Sequence, residues 1–123
     1  MPRPSSPFDF AKRVAYDPDT KRQFHDYARR QLRALAAALD LAEHDYDLRS
    51  NQGGTAVSGE ITLHADRLYV QVSQPATGAN SGILFRSCKH RRDYCGGSNN
   101  FAPVDHLHSP AVLARRIKLA GLA

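Results

Sequence analysis

Tryptophan is absent from this chain, methionine occurs only at position 1, and there are two cysteines. Two thiols cannot form a disulfide framework, so the core must come from ordinary apolar burial. No apolar stretch approaches the roughly 18 residues that a membrane-crossing helix needs, which argues against a membrane partner. The opening Met1-Pro2-Arg3-Pro4-Ser5-Ser6-Pro7 has no apolar run behind its charge and does not read as a secretory signal. The expectation is a cytoplasmic protein with reduced Cys88 and Cys95. A Cys88–Cys95 disulfide is geometrically conceivable but disfavoured in that compartment. Gly96-Gly97 is not followed by Lys-Ser or Lys-Thr, so there is no P-loop. The strand carboxylates Asp47, Glu60 and Asp66 are scattered, without the clustering that a metal-dependent nuclease requires.

What is present is a basic, ordinary-sized domain. The 123 residues fit one unit, 41% hydrophobic and 24% charged. Thirteen Arg stand against four Lys, and the formal net charge is +5. Arginine's planar fork suits phosphate, and a basic balance is the usual electrostatic footprint of a nucleic-acid binder. A codon bias toward Arg gives the same composition without any ligand.

Residues 1–15, rich in Pro and Ser, read as a mobile arm preceding a single α+β domain over 16–123, with Phe8, Phe10 and Val14 able to pin part of it. Asp17-Pro18-Asp19-Thr20 is a helix start: a capping carboxylate, a proline suited to the first helical position, and an acid at the positive end of the dipole. The spacing of Phe24, Ala28, Leu32, Leu35, Leu39 and Ala42 predicts one apolar stripe on a helix from Pro18 to about Ala42. Arg22, Arg29 and Arg33 fall within about 40° of one another on a different face. They form a basic stripe that also reads as a solvated helix face.

From Tyr46 the period changes to two. Tyr46, Leu48 and Ser50 alternate with Asp47, Arg49 and Asn51 up to a break at Gly53-Gly54. Ile61, Leu63 and Ala65, then Leu68, Val70 and Val72, predict a hairpin turning at Asp66-Arg67. Gln74–Gly82 reads as a loop and Ile83–Ser87 as a fourth strand. Ser109-Pro110 opens a short helix that stops at Gly121, with Leu113, Ile117 and Ala120 inward. The predicted fold is an antiparallel sheet of three to four strands, covered on one face by the long N-terminal helix, with a short C-terminal helix (α-β-β-β-β-α). Its polar face presents Thr62, His64, Tyr69 and Gln71, with Arg49 and Arg86 as further candidates. In element order alone this resembles the double-stranded-RNA-binding domain. The first helix is much longer here, and the lysine cluster that opens the family's last helix is missing, so no functional residue is carried over.

The stretch from Arg86 to His108 is the candidate site, because a long loop inside a small domain is uncommon and often functional. Three chemistries fit it. Arg86, Lys89, His90, Arg91 and Arg92 supply cationic or basic groups, Asn99 and Asn100 can hydrogen-bond base edges, and Tyr94 and Phe101 can stack on exposed bases. Arg115 and Arg116 add to that surface. Alternatively Cys88, His90, Cys95, His106 and His108 are five zinc-type donors within 21 residues, in a spacing that matches no standard zinc motif. Finally, Cys95 beside basic residues, with His106 or His108 as base and Asp105 as orienter, has the parts of a nucleophilic site. The leading expectation is a non-enzymatic, cofactor-free binding protein for DNA or RNA. A protein-interaction module using the same loop is the main rival, and a zinc-binding or Cys/His-dependent protein the third.

Overall fold

Asp17 caps the first helix as its sequence implies. Its carboxylate accepts hydrogen bonds from the Thr20 backbone N–H (3.1 Å) and hydroxyl (2.8 Å). This computed structural model describes residues 8–74, 82–93 and 97–122. Helix α1 spans Pro18–Ala38, followed by strands β1 (Tyr46–Asn51), β2 (Glu60–Ala65), β3 (Leu68–Val72), β4 (Ile83–Ser87) and β5 (Asn100–Ala102). A 3₁₀ turn (Val104–His108) then leads into α2 (Pro110–Leu119).

The α+β class and the element types match the expectation, with three corrections. The sheet has five strands rather than three or four, in the order β1-β2-β3-β4-β5, every neighbouring pair antiparallel. β5 covers only three residues, too few for an alternation to register. Helix α1 stops at Ala38, short of Ala42, because Asp40 adopts a left-handed conformation (φ 61°). There the Leu41 N–H reaches the Ala36 carbonyl (2.9 Å) and the Asp40 N–H the Ala37 carbonyl (3.0 Å), a Schellman closure made without glycine. In α2, Leu113 and Ile117 are buried as expected, but Ala114 takes the third inward position and Ala120 is exposed.

The predicted stripe on α1 is buried from Phe24 to Leu39. It packs on β2 and β1, while α2 packs on α1. The inner face of the sheet supplies Ile61, Leu63, Ala65, Leu68, Val70, Val72, Ile83, Phe85 and Ala102 to the same core. Burying each large apolar side chain contributes about 1.5–3 kcal/mol, and this interface shares one continuous core with Phe8, Phe10, Leu107, Leu113 and Ile117.

Phe8, Phe10 and Val14 are buried too. Phe8 and Phe10 stack around Phe24 and Tyr27, and Phe10 lies 4.7 Å from the His108 ring. The Gln74 amide brackets this segment: its oxygen accepts from the Val14 N–H (3.0 Å), and its nitrogen donates to the carbonyls of Phe10 (3.1 Å) and Lys12. A second clamp holds the β1–β2 connection to α1. Lys21 donates to the Gly54 carbonyl and His25 Nε2 to the Ser58 carbonyl, each at 2.9 Å.

Candidate nucleic-acid interface

The strand register lays two rows of side chains across the outer face of the sheet. One row is Asp47, His64, Tyr69 and Arg86. The other is Arg49, Thr62, Gln71, Leu84 and Phe101. Cross-strand neighbours lie close enough for direct contact, and here they interlock. The Arg86 guanidinium sits 4.2 Å from the centre of the Tyr69 ring. The His64 ring meets the same tyrosine edge-on at 5.1 Å, and the Tyr69 hydroxyl donates to Gln71 Oε1 at 2.8 Å.

Thr62, His64 and Tyr69 were expected to face outward, and their register places them on the outer face. They are nonetheless buried. His64 explains how. Its Nε2 lies 3.2 Å from the carbonyl of His90, and its Nδ1 lies 3.0 Å from an Arg49 guanidinium nitrogen. Only a neutral imidazole with the proton on Nε2 satisfies both partners. Burial, followed by the Arg49 charge, holds the His64 pKa below the ordinary histidine value. The segment after β4 thus folds back over this end of the sheet.

Arg91 fixes that return. It donates to Asp66 Oδ1 (3.0 Å) and to the carbonyl of His44, and it lies 3.8 Å from Asp47. The Asp93 carboxylate accepts the Lys89 backbone N–H at 2.9 Å, and His90 Nδ1 accepts that of Arg92 at 3.1 Å. Arg91 is therefore a brace of the loop, while Lys89, His90 and Arg92 are exposed around it. The chain comes back against β4 at Gly97 (φ 58°), where a Cβ would stand 2.4 Å from Ser87 Oγ. Tyr94 and Cys95 lie outside the described residues.

Beyond Gly97, Ser98 and Asn99 are exposed, and the Asn100 amide is held by the carbonyls of Phe85 and Ser98. Phe101 then projects from β5 with 50% of its surface exposed, opposite Leu84. Arg116 reaches from α2 to the Phe101 carbonyl at 2.9 Å, which brings a guanidinium to the same sheet edge. Arg115 is exposed beside it on α2. On α1, Arg22 pairs with Asp19 (2.7 Å) and Arg29 donates to Ser50 (3.2 Å), so two of the three stripe arginines have partners within the chain. A groove of about 630 Å³ beside α1 mixes Lys12, Arg30 and Arg33 with Asp9 and Asp26.

Three of the zinc-type donors, Cys88, His90 and His108, hydrogen-bond elsewhere. Cys88 is buried, with its thiol 3.3 Å from the Ala65 carbonyl, and burial and then Asp93 push its pKa up, against the thiolate a metal or a nucleophile needs. His108 Nδ1 lies 2.6 Å from the Tyr27 hydroxyl, in the helical layer. His106 is on the same 3₁₀ turn, whereas His90 belongs to the loop after β4. Among the described residues no three His, Cys, Asp or Glu side chains are grouped to hold a metal ion, and no helix is long and apolar enough to cross a membrane.

Comparison with protein families, characterised proteins and solved structures gives no match to this chain.

The Tyr69–Arg86 stack and Leu84 beside Phe101 were not singled out in the sequence. Once the hairpins are assigned, their register is the signal that aligns them.

Proposed function

We propose that this protein binds single-stranded nucleic acid along the outer face of its sheet at the β4–β5 side. The observation that carries this reading is Phe101: an aromatic ring half exposed on a sheet face, with the Arg116 guanidinium on its own backbone carbonyl. A base can stack on such a ring regardless of its identity. An accessible aromatic ring beside a guanidinium offers a stacking face and a cation together, which suits a ligand with flat bases and an anionic backbone. Asn99 is exposed in the segment leading into β5 and can hydrogen-bond a base edge. Lys89 and Arg92, exposed on the loop that folds back from β4 over β2, supply phosphate contacts farther along the face, and Arg115 adds a cation on the helical side.

In this reading the site works by binding alone. Stacking holds the base, and cations neutralise phosphates and release counterions, so affinity falls as salt rises. A gel-shift series with single-stranded and duplex DNA and RNA, at low and high salt, tests it. Binding is expected for single strands and should weaken with salt. Absence of any shift at low salt would rule the reading out.

A protein-interaction role has one observation in its favour. Val112 and Leu119, seven residues apart on one side of α2, are 56% and 82% exposed. A partner captured through them would survive nuclease treatment and would be lost in a Val112→Ser/Leu119→Ser variant.

A further inference from the structure

The two edges of the sheet differ. β5 is a three-residue edge, and Arg116 covers its Phe101 carbonyl. β1 is a six-residue edge that pairs only with β2, and among the described residues no other backbone hydrogen-bonds to it. It contains no Pro or Lys, and its two charged side chains, Asp47 and Arg49, are opposite in sign, so they do not repel a second copy in every register.

We propose that β1 is a homodimerisation edge, where a second copy of this chain adds its own β1 in antiparallel register centred on Leu48. This rests on the strand edge and is independent of nucleic-acid binding. An antiparallel pair of identical strands has its two-fold axis normal to the sheet, so each residue keeps its face. The pleat then requires the axis to pass through a residue rather than between two. Three centres are available in the middle of β1. Centring on Asp47 sets two carboxylates against each other, and centring on Arg49 sets two guanidinia against each other. Centring on Leu48 places Asp47 of each copy opposite Arg49 of the other, twice by symmetry, with the two Leu48 side chains meeting on the helix-covered face.

Opposite charges directly across a strand pair attract and like charges repel, so the charge pattern selects this register. Asp47 already lies 3.8 Å from Arg91, and Arg49 contacts His64 at 3.0 Å. A carboxylate with two oxygens and a guanidinium with five N–H donors can keep those contacts and add one across the axis. The product is a continuous sheet in which both helical layers lie on one side and both outer faces on the other.

Sedimentation equilibrium of the full chain without nucleic acid, over micromolar to millimolar concentration, tests this. A reversible dimer is expected. Asp47→Arg and Arg49→Asp should each weaken it by about tenfold or more, and the double variant should return to within about threefold of the original. Circular dichroism checks that each variant folds. If a single variant fails to fold, hydrogen exchange on the unaltered chain decides instead: protection of alternate β1 amides should rise with concentration. A monomer throughout, a dimer indifferent to the single exchanges, no rescue in the double variant, or β1 protection independent of concentration would each overturn the proposal.

Discussion

The Arg86 guanidinium stacks on the Tyr69 ring at 4.2 Å, across the pair of strands that forms the middle of the outer face. Because the tyrosine is buried, this contact shapes the surface as well as stabilising it. Tyr69→Leu should lower unfolding stability by about 1–2 kcal/mol, through loss of the stack and of the Gln71 hydrogen bond. Tyr69→Phe keeps the ring and should lose roughly half as much. Urea unfolding monitored by circular dichroism distinguishes the two.

Acid should weaken the fold in a defined window. Burial lowers the pKa values of His25 and His64 below the ordinary histidine value. A group with a depressed folded pKa binds a proton in the unfolded chain first. Its contribution is therefore complete above about pH 6.5 and is lost as the pH falls from there toward the folded value. Denaturation midpoints measured from pH 7.5 to 5 should fall, and the drop should shrink in His64→Gln, whose amide does not titrate.

Two glycines of the β1–β2 connection should respond in opposite ways. Gly59 has φ 72°, and a Cβ there would lie 2.3 Å from the Asn51 carbonyl oxygen. Gly54 has nothing within 4 Å of the same position. Gly59→Ala should cost about 3 kcal/mol or more, whereas Gly54→Ala should stay within about 0.5 kcal/mol of the parent. Thermal melts of the two variants check this.

The course of the polypeptide was legible wherever one periodicity ran long enough. The α1 stripe, the β2–β3 hairpin, the Asp17 cap and the proline start of α2 at Pro110 all follow from local pattern. β5 was not legible, because three residues hold no period and Asn100–Ala102 joins the sheet through pairing with β4. The end of α1 was missed because Asp40 occupies a position that usually signals itself with glycine. The cationic loop was visible as composition. That Arg91 is a brace while Lys89 and Arg92 stay exposed depends on Asp47 and Asp66, which are distant in sequence and come together only through the fold.

Cys88 should behave as a core residue. In a Cys95→Ser variant the remaining thiol is held against the Ala65 carbonyl with its pKa raised by burial. Its reaction with a disulfide reagent should be slower than in denaturant by on the order of a hundredfold. Rapid reaction in the native state would reopen a chemical role for this end of the loop.

Fluorescence anisotropy with a labelled single-stranded oligonucleotide tests the nucleic-acid interface most directly, with the unaltered chain compared against Phe101→Ala and Lys89→Ala/Arg92→Ala. Loss of one stacked base should weaken binding by about fivefold to a hundredfold in Phe101→Ala with the salt slope unchanged. The double variant should weaken binding with a slope shallower by about one to two. Equal affinity for Phe101→Ala and the unaltered chain, or no binding by either at low salt, would contradict it.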